Sequence, residues 1–306
     1  FGSARAFAGP AGSSLLPFLV PPENLPRAIA LNSSVFTTAV IAGPAIGGFI
    51  YLLGPVFTYG LAAIFFAIAG VLTFVLGGRH IDRAAAIAAS RLERVKEGIQ
   101  FVWNRPVVLG AISLDLFAVL LGGAVALLPV YARDILHTDV FGLGVLRSAQ
   151  AVGAAVMAFS LARWPIERKS GSRMFGSVAL FGLATLVFGL STNFYLSFAA
   201  LFVTGAADMV SVFIRSALIQ YSTPDHMRGR VSAVSMLFIG ASNELGEFES
   251  GSTAAWFGTV PAVVVGGLGT LGVVGLWMWL FPSLRTVDRL REVEVPIEET
   301  IPAQSL

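Results

Sequence analysis

Apolar runs of about 20 residues alternate with short polar breaks along almost the entire chain. The runs cover approximately residues 1–20, 28–53, 56–76, 106–132, 141–162, 173–191, 194–220, 229–257 and 260–282. A helix needs roughly 20 apolar residues to cross the hydrocarbon core of a bilayer, so each run is long enough to be a span. The pattern therefore predicts an all-α integral membrane protein with about nine transmembrane helices.

The longest polar stretch, residues 79–105, follows the third run and divides the predicted spans into a group of three and a group of six. Charged and apolar side chains recur at helical spacing over residues 91–104, which predicts an amphipathic helix. Trp103 would suit a lipid headgroup position in such a helix. Packing of this helix on the ends of the spans is the alternative, and the sequence leaves both open.

Four regions follow from this division. The sequence predicts a partial N-terminal transmembrane half over residues 1–78, a central loop with the amphipathic helix over 79–105, a six-helix transmembrane half over 106–282 and a tail over 283–306. The tail is charged and contains two prolines, so we predict a solvated helix followed by disorder.

The composition indicates a surface that faces lipid. Only 12% of the residues are charged and the mean hydropathy is +0.80, whereas an average soluble domain is about 25% charged. The net charge is +2, and the basic residues lie in the breaks between apolar runs, which fits membrane topology and argues against nucleic acid as a partner. The chain has no cysteine, which excludes disulfides, thiolate metal sites and cysteine nucleophiles.

Lysine and arginine residues are distributed unevenly between the two sides of the predicted bundle. Sixteen of the 20 fall in alternate breaks and in the tail, whereas the opposite side has only Arg133 clearly in a loop. Arg5, Arg147 and Arg215 fall within spans. Because cytoplasmic loops carry the excess of basic residues, we predict that the 79–105 loop and the tail are cytoplasmic.

Residues 43–48, in the middle of the second run, form the motif G-P-A-I-G-G. Gly43 and Gly47 are four residues apart, so the backbone of a neighbouring helix could approach closely, and Gly48 extends the small surface. Pro44 removes a backbone hydrogen bond and bends the helix. Ordinary tight packing would explain such glycines equally well, but the full motif resembles the antiporter motif in the fifth helix of major facilitator exporters.

Four other segments agree with the same family in order and spacing. They are residues 25–32 before the second run, residues 97–103 in the central loop, residues 227–231 with Arg228, Gly229 and Arg230, and residues 242–248. Together they resemble the subfamily that includes the enterobactin exporter and macrolide efflux proteins. The resemblance extends from the fourth helix of the family to the twelfth, so we expect the first three helices to be missing from this chain.

The resemblance implies a major facilitator fold of two six-helix halves, with the substrate bound between them near the middle of the membrane. It implies a secondary active transporter, and we expect proton-coupled efflux of a siderophore, a macrolide or another drug across a bacterial inner membrane. The partners would be a small-molecule substrate, protons and the lipid bilayer, and the protein would be a monomer. A non-transporting membrane receptor or assembly subunit and an uptake transporter remain as alternatives.

Charged side chains within the predicted spans are candidates for transport, because a charge at the bilayer centre costs about 2.5–3.5 kcal/mol even on the more lenient scale. Asp208 and Arg215 are seven residues apart in one span, which places them on one helix face two turns from each other. Each is expected to meet another helix. For both residues, structural pairing and a role with the substrate or with protons stay open.

Three further acids stand in two other spans. Glu244 and Glu247 are three residues apart on one face, and two buried carboxylates close together would suit a proton carrier. Hydrogen bonding across helices, or a gate on the cytoplasmic side, is the alternative for this pair. Asp115, nine residues into its span, could line the cavity or pair with a basic residue.

The sequence offers no motif for catalysis or for a cofactor. The three histidines, His80, His137 and His226, fall in loops without ligand spacing, and no Walker A sequence is present. We therefore predict that the protein is not an enzyme and binds no metal and no cofactor. The last run contains many glycines, which close helix packing would explain, namely Gly266, Gly267, Gly269, Gly272 and Gly275.

Overall fold

The computed structural model of this chain describes residues 53–75, 91–164, 166, 168–224 and 227–290, together with isolated positions between 39 and 51. The chain divides into two compact units, Phe1–Ala89 and Ser90–Leu306. The spans predicted at 1–20 and 28–53 lie outside the described residues, apart from those isolated positions.

The described residues are helical throughout both units, and no strand occurs among them. The helices are α1 (Pro55–Val75), α2 (Arg91–Trp103), α3 (Pro106–Leu121), α4 (Val140–Arg163), α5 (Ser170–Leu190), α6 (Phe194–Ser222), α7 (Arg228–Phe257), α8 (Thr259–Leu280) and α9 (Pro282–Arg285). Three short helical segments connect α3 to α4, namely Ala124–Leu127, Leu128–Val130 and Tyr131–Ile135. The predicted all-α fold class is therefore confirmed.

Six of the described helical stretches are long and apolar enough to cross a membrane. They are Pro55–Leu72, Pro106–Ile135, Val140–Arg163, Ser170–Leu190, Phe194–Ser222 and Thr259–Leu280. Each coincides with a predicted span. The predicted span at 229–257 is also a continuous helix, α7, with 30 residues, but its three glutamates make it more polar than the others.

The second unit is a bundle in which α6 packs along both α4 and α5, and α5 packs along α8. Its largest buried cluster joins α3, α5, α6 and α8, with Leu114, Met174 and Ile214 all fully buried. Lipid is as apolar as these side chains, so close packing and interhelical hydrogen bonds hold such a bundle together more than apolar burial does.

The close crossing of α4 and α6 depends on two glycines, one on each helix. Each glycine lies against the backbone of the other helix. A Cβ atom added at Gly153 would overlap the carbonyl oxygen of Phe202, and one added at Gly205 would overlap that of Gln150. Only glycine allows the two backbones to approach this closely. The close packing predicted for the glycines of α8 is seen at Gly266, where an added Cβ would overlap the Leu121 carbonyl. At Gly272 or Gly275 an added Cβ would meet open space among the described residues.

The span predicted at 106–132 differs from one continuous helix, because α3 ends at Leu121 and the chain continues in short segments. The break falls at Gly122 and Gly123, where α3 reaches α7 and α8. A Cβ at Gly123 would lie 2.6 Å from the Ser250 Oγ, and one at Gly122 would lie 3.1 Å from the Thr270 Oγ1. Thr270 also donates a hydrogen bond of 3.1 Å to the carbonyl of Ala118, which stabilises the end of α3.

The amphipathic helix α2 packs on the ends of the bundle helices, so the second of the two alternatives for it is observed. Val102 is buried in a cluster with Val231 and Val234 of α7, and a Cβ at Gly98 would lie 3.1 Å from the Arg230 carbonyl oxygen. Trp103 is 70% exposed and remains free for contact with headgroups.

We predicted a solvated helix at the beginning of the tail, but this segment packs against the bundle. Leu284, Val287 and Leu290 are buried in the largest cluster of the bundle. The Oδ1 of Asp288 accepts a hydrogen bond of 2.9 Å from the backbone N–H of Lys169, and the backbone N–H of Ser170 donates to the Asp288 carbonyl at 3.0 Å. The tail therefore satisfies donors at the beginning of α5, which an isolated helix would leave unpaired. Residues 291–306 lie outside the described residues.

Candidate functional site

Helix α6 presents three polar side chains on one face in the middle of the bundle. Asp208, Ser211 and Arg215 are spaced three and four residues apart, which places them one above another on the helix surface. The helix begins at Phe194 because Asn193 accepts hydrogen bonds from the N–H groups of Tyr195 and Leu196 at 2.9 and 3.1 Å.

Arg215 of α6 forms an ion pair with Asp115 of α3, through its Nη1 and the carboxylate Oδ2. Both residues are buried, with exposed fractions of 5% for Arg215 and 6% for Asp115. Of the alternatives that the sequence left open, the structure shows pairing for both residues. Burial of an isolated charge costs several kcal/mol, so each of these charges depends on the other.

Asp208 lines a narrow crevice beside this ion pair, together with Asp115 and Ser211. Val178 and Phe181 of α5 form the apolar wall of the crevice. The cavity measures about 10 Å³, which is the lower limit for a single water molecule. The Oγ of Ser211 is buried and has no hydrogen-bond partner within the part of the chain that the structure describes.

The charges of this cluster do not balance. Asp115 and Arg215 neutralise each other, and Asp208 makes no ion pair with any described residue. One negative charge therefore remains in the middle of the bundle unless a proton binds. Because α6 rises about 1.5 Å per residue, Asp208 lies roughly 10 Å from Arg215 along the helix axis, beyond direct pairing distance.

The second predicted pair of acids has different surroundings. The side chains of Glu244 and Glu247 are exposed in the described unit, so the burial on which their interpretation as a proton carrier depends is not seen there, and their role stays a prediction. The physical reason is that the helix face carrying them turns away from α3 and α8. Glu249, which faces another direction, is partly buried and accepts a hydrogen bond of 2.8 Å from the Oγ1 of Thr253.

The motif at residues 227–231, which the sequence placed in a loop, supplies a polar contact to α2, but α7 already begins at Arg228, so most of the motif is helical. Arg230 Nη1 lies 2.5 Å from Glu97 Oε2 in an exposed ion pair. Arg230 also contacts the Sδ of Met227 at 3.4 Å. Arg228 and Gly229 belong to the first turn of α7, and only their backbone is described.

The motif at residues 43–48 is described only at isolated positions. Among the described residues no atom lies within 4 Å of a Cβ built on Gly43 or Gly47, so the close packing predicted at this motif remains a prediction. Gly48 is described and partly buried, whereas Pro44 lies outside the described residues. Arg5 lies outside them too, and Arg147 is exposed on α4.

Two residues were missed from the sequence, one that lines the crevice and one at the crossing of α4 and α6. Ser211 carried a usable signal, because it stands between Asp208 and Arg215 on the same helix face. Gly205, three residues before Asp208, carried none, because a single glycine in an apolar run has many explanations. Within the described residues, no group of three or more His, Asp or Glu side chains could hold a metal ion.

Comparison with known proteins gives one consistent family. The family model described as Major Facilitator Superfamily matches residues 1–247. The multidrug efflux pump Tap of Mycobacterium tuberculosis is 27% identical over 306 residues, which cover 95% of this chain and 71% of that protein. The enterobactin exporter EntS of Citrobacter koseri is 26% identical over 273 residues, which cover 88% of this chain and 64% of that protein.

A third relative and one solved structure extend this picture. A Na(+), Li(+), K(+)/H(+) antiporter of Planococcus maritimus is 24% identical, over 94% of this chain and 74% of that protein. The crystal structure of a bacterial homolog of the human lysosomal transporter Spinster, inward-facing and unoccupied, matches with a TM-score of 0.58. That match has 13% identity and covers 93% of this chain and 74% of the other, and it concerns the fold alone.

Proposed function

Because this chain belongs to the Major Facilitator Superfamily of transporters, we propose that it exports a small molecule across a bacterial inner membrane in exchange for protons. The family makes it a multi-pass membrane protein that moves a small-molecule substrate. Efflux is supported by the names of two relatives, a multidrug efflux pump and an enterobactin exporter. A siderophore, a macrolide or another amphipathic drug is the proposed substrate class.

The observation that carries the proton coupling is the uncompensated carboxylate of Asp208. It stands in the crevice beside a buried ion pair and has no ion-pair partner among the described residues. A carboxylate that binds a proton becomes neutral, so the cost of its charge inside the membrane disappears. We propose that Asp208 binds a proton in one state of the transport cycle and releases it in another.

The Asp115–Arg215 pair has a different part in this proposal. Its two charges cancel at a fixed place on α3 and α6, and they hold the two helices together near the crevice. Ser211 lies between Arg215 and Asp208, and its unpaired hydroxyl can donate to the charged carboxylate or accept from the protonated one. The pair therefore positions the crevice, and Asp208 carries the proton.

The test replaces Asp208 by Asn, which keeps the size of the side chain and removes the titratable group. Inside-out vesicles with an imposed pH gradient are incubated with a radiolabelled macrolide or with radiolabelled enterobactin in separate assays. We expect the Asp208→Asn variant to lose accumulation driven by the gradient and to retain exchange of substrate across the membrane without a gradient. Asp134→Asn is the matched control, because Asp134 is an exposed acid at the end of the Pro106–Ile135 stretch.

A second readout does not need the substrate. The infrared band of a protonated carboxyl group can be followed during a pH titration of the purified protein. We expect one such band to be missing in Asp208→Asn and present in Asp134→Asn. A full response to the gradient in Asp208→Asn, with an unchanged carboxyl band, would refute Asp208 as the proton carrier.

Glu244 and Glu247 offer the competing proton site. Both are exposed in the described unit and could face a water-filled cavity in the whole transporter. The double variant Glu244→Gln with Glu247→Gln separates the two sites in the same vesicle assay. If only this variant loses coupling of transport to the pH gradient, the proton site lies on α7. If only Asp208→Asn loses it, α7 has a role in gating or packing.

The orientation is a separate proposal that rests on the distribution of basic residues. The chain has no cysteine, so a single cysteine at Ser283 would report the side of the tail without interference. We expect an impermeant thiol reagent to label it in inside-out vesicles and not in intact cells. Labelling from outside intact cells would reverse the proposed orientation.

A further inference from the structure

A cleft of about 620 Å³ opens between the end of α4, the beginning of α5 and the middle of α6. One wall is apolar and contains Met157, Leu161 and Val210. The rim near α5 is polar and basic, with Lys169, Ser172 and Arg173. The cleft shares no lining residue with the crevice at Asp208. It is therefore a second concave site with two chemically distinct sides.

The basic side chains of the rim are exposed and close together. Lys169 is the residue that precedes α5 and Arg173 lies in the first turn of that helix, and both line the cleft together with Ser172. Arg163 and Arg168 add two exposed positive charges in the same connection between α4 and α5. This end of the helices is the proposed cytoplasmic side, where membranes carry their anionic lipids.

The backbone at the rim is held in an unusual conformation. Lys169 has a positive φ of 54°, which is uncommon for a residue other than glycine. The hydrogen bond from its N–H to Asp288 Oδ1, at 2.9 Å, fixes this conformation. The Asp288 carboxylate of the tail therefore accepts a hydrogen bond from the backbone at the rim. Through this bond the tail fixes the conformation of Lys169, which carries one of the two positive charges of the rim.

The floor of the cleft contains Gly176, and a Cβ added there would meet no described atom within 4 Å. The missing side chain leaves the cleft open at this position. At the mouth, Trp164 is 72% exposed, in the position that tryptophan prefers at a membrane interface.

We propose that this cleft binds an anionic phospholipid of the cytoplasmic leaflet. The phosphate accepts hydrogen bonds from the Lys169 ammonium, the Arg173 guanidinium and the Ser172 hydroxyl. One acyl chain lies along Met157, Leu161 and Val210, over Gly176. Two cations at the rim match a headgroup with net negative charge better than they match a zwitterionic headgroup. The positively charged group of a zwitterionic headgroup would lie against the positive charge of Lys169.

The test measures lipid binding to the purified protein in detergent by native mass spectrometry, with phosphatidylglycerol and phosphatidylcholine as probes. We expect phosphatidylglycerol to bind more tightly. The double variant Lys169→Gln with Arg173→Gln should weaken phosphatidylglycerol binding roughly 30-fold and leave phosphatidylcholine binding almost unchanged, because each basic residue near a membrane surface contributes about a fivefold factor and the two factors multiply. The charge-matched control is Lys96→Gln with Arg133→Gln, two exposed residues outside the cleft.

A second variant tests the apolar part of the cleft independently of charge. Gly176→Phe fills the floor and should weaken both lipids at least tenfold. Gly272→Phe is the matched control, because a Cβ at Gly272 on α8 also meets open space and Gly272 does not line the cleft. Equal phosphatidylglycerol binding by the double variant and its charge-matched control would overturn the proposal, as would unchanged binding by Gly176→Phe with an unchanged melting temperature.

Discussion

The acids of α6 and those of α7 meet different surroundings within one bundle. On α6, Asp208 faces a crevice next to a buried ion pair, and its neighbour Arg215 is satisfied by Asp115 of another helix. On α7, Glu244 and Glu247 are exposed and none of the described ion pairs includes them. The comparison shows that an acid within an apolar run acquires its surroundings from the helix that faces it. A carboxylate lies beside a buried ion pair on one helix, whereas two carboxylates are exposed in the described unit on the other.

The largest effect should come from breaking the ion pair. Asp115→Asn leaves the Arg215 guanidinium buried without a counter-charge, which is expected to lower the free energy of unfolding by about 3–5 kcal/mol. The change is measured as a fall in melting temperature of the purified protein. Asp115→Leu combined with Arg215→Leu removes both charges and should recover most of the loss. Equal melting temperatures for Asp115→Asn and Glu244→Gln would abolish the distinction between α6 and α7.

A smaller loss of stability should follow from forcing α4 away from α6, the helix that carries Asp208. Gly205→Ala adds a Cβ that overlaps the carbonyl oxygen of Gln150, and a backbone atom cannot move away cheaply. We expect a loss of about 1–3 kcal/mol in the free energy of unfolding, the range for overpacked contacts. Gly272→Ala is the control, because its Cβ meets open space and alanine favours a helix. If both variants melt alike, the crossing of α4 and α6 is looser than described.

The contact between α2 and α7 should contribute little. Glu97 and Arg230 form an exposed ion pair, and such pairs contribute about 0.2–1 kcal/mol. A double-mutant cycle with Glu97→Ala and Arg230→Ala measures the coupling energy directly at low and at high salt. A coupling above about 2 kcal/mol, or one that does not fall with salt, would show that α2 is held by charge more than by Val102 and its neighbours.

The smallest effect on stability is expected for the acids of α7. Glu244→Gln with Glu247→Gln changes two exposed side chains, so the free energy of unfolding should change by about 0.5 kcal/mol or less. Melting and transport are measured on the same preparation, because a variant with unchanged stability can still lose transport. A marked loss of stability would show that these glutamates are packed in the whole protein, and it would remove the contrast with Asp208.

Much of the fold was predictable because the bilayer imposes a length on every span. Six described helical stretches coincide with apolar runs read from the sequence, and α2 occupies the predicted amphipathic segment. The break at Gly122 and Gly123 was not predictable, since it depends on the approach of α7 and α8 at that level. The packed beginning of the tail was missed for a similar reason. Its polar composition indicated solvent, but Leu284 and Val287 are buried between helices that precede them in the chain.

The candidate site was only half predictable. The sequence identified Asp115, Asp208 and Arg215, because charges are rare within apolar runs and each one is conspicuous. It also indicated that Asp208 and Arg215 share a helix face, since a helix repeats every 3.6 residues. It left the partner of Arg215 open, and its interpretation of Glu244 and Glu247 as a proton carrier depended on burial, whereas both are exposed in the described unit.

By itself, the sequence determined that this protein is a helical membrane protein of a transporter family, and it determined which residues carry charge inside the spans. Those properties are local, because each depends on some 20 consecutive residues and on the cost of a charge in hydrocarbon. Only the tertiary structure decided that Asp115 meets Arg215, that Asp208 is left without a counter-charge among the described residues, and that a basic cleft opens beside Gly176. Each of these depends on how one helix is rotated against another, and that rotation is set by close contacts such as those at Gly153 and Gly205, whose partners are distant in the sequence.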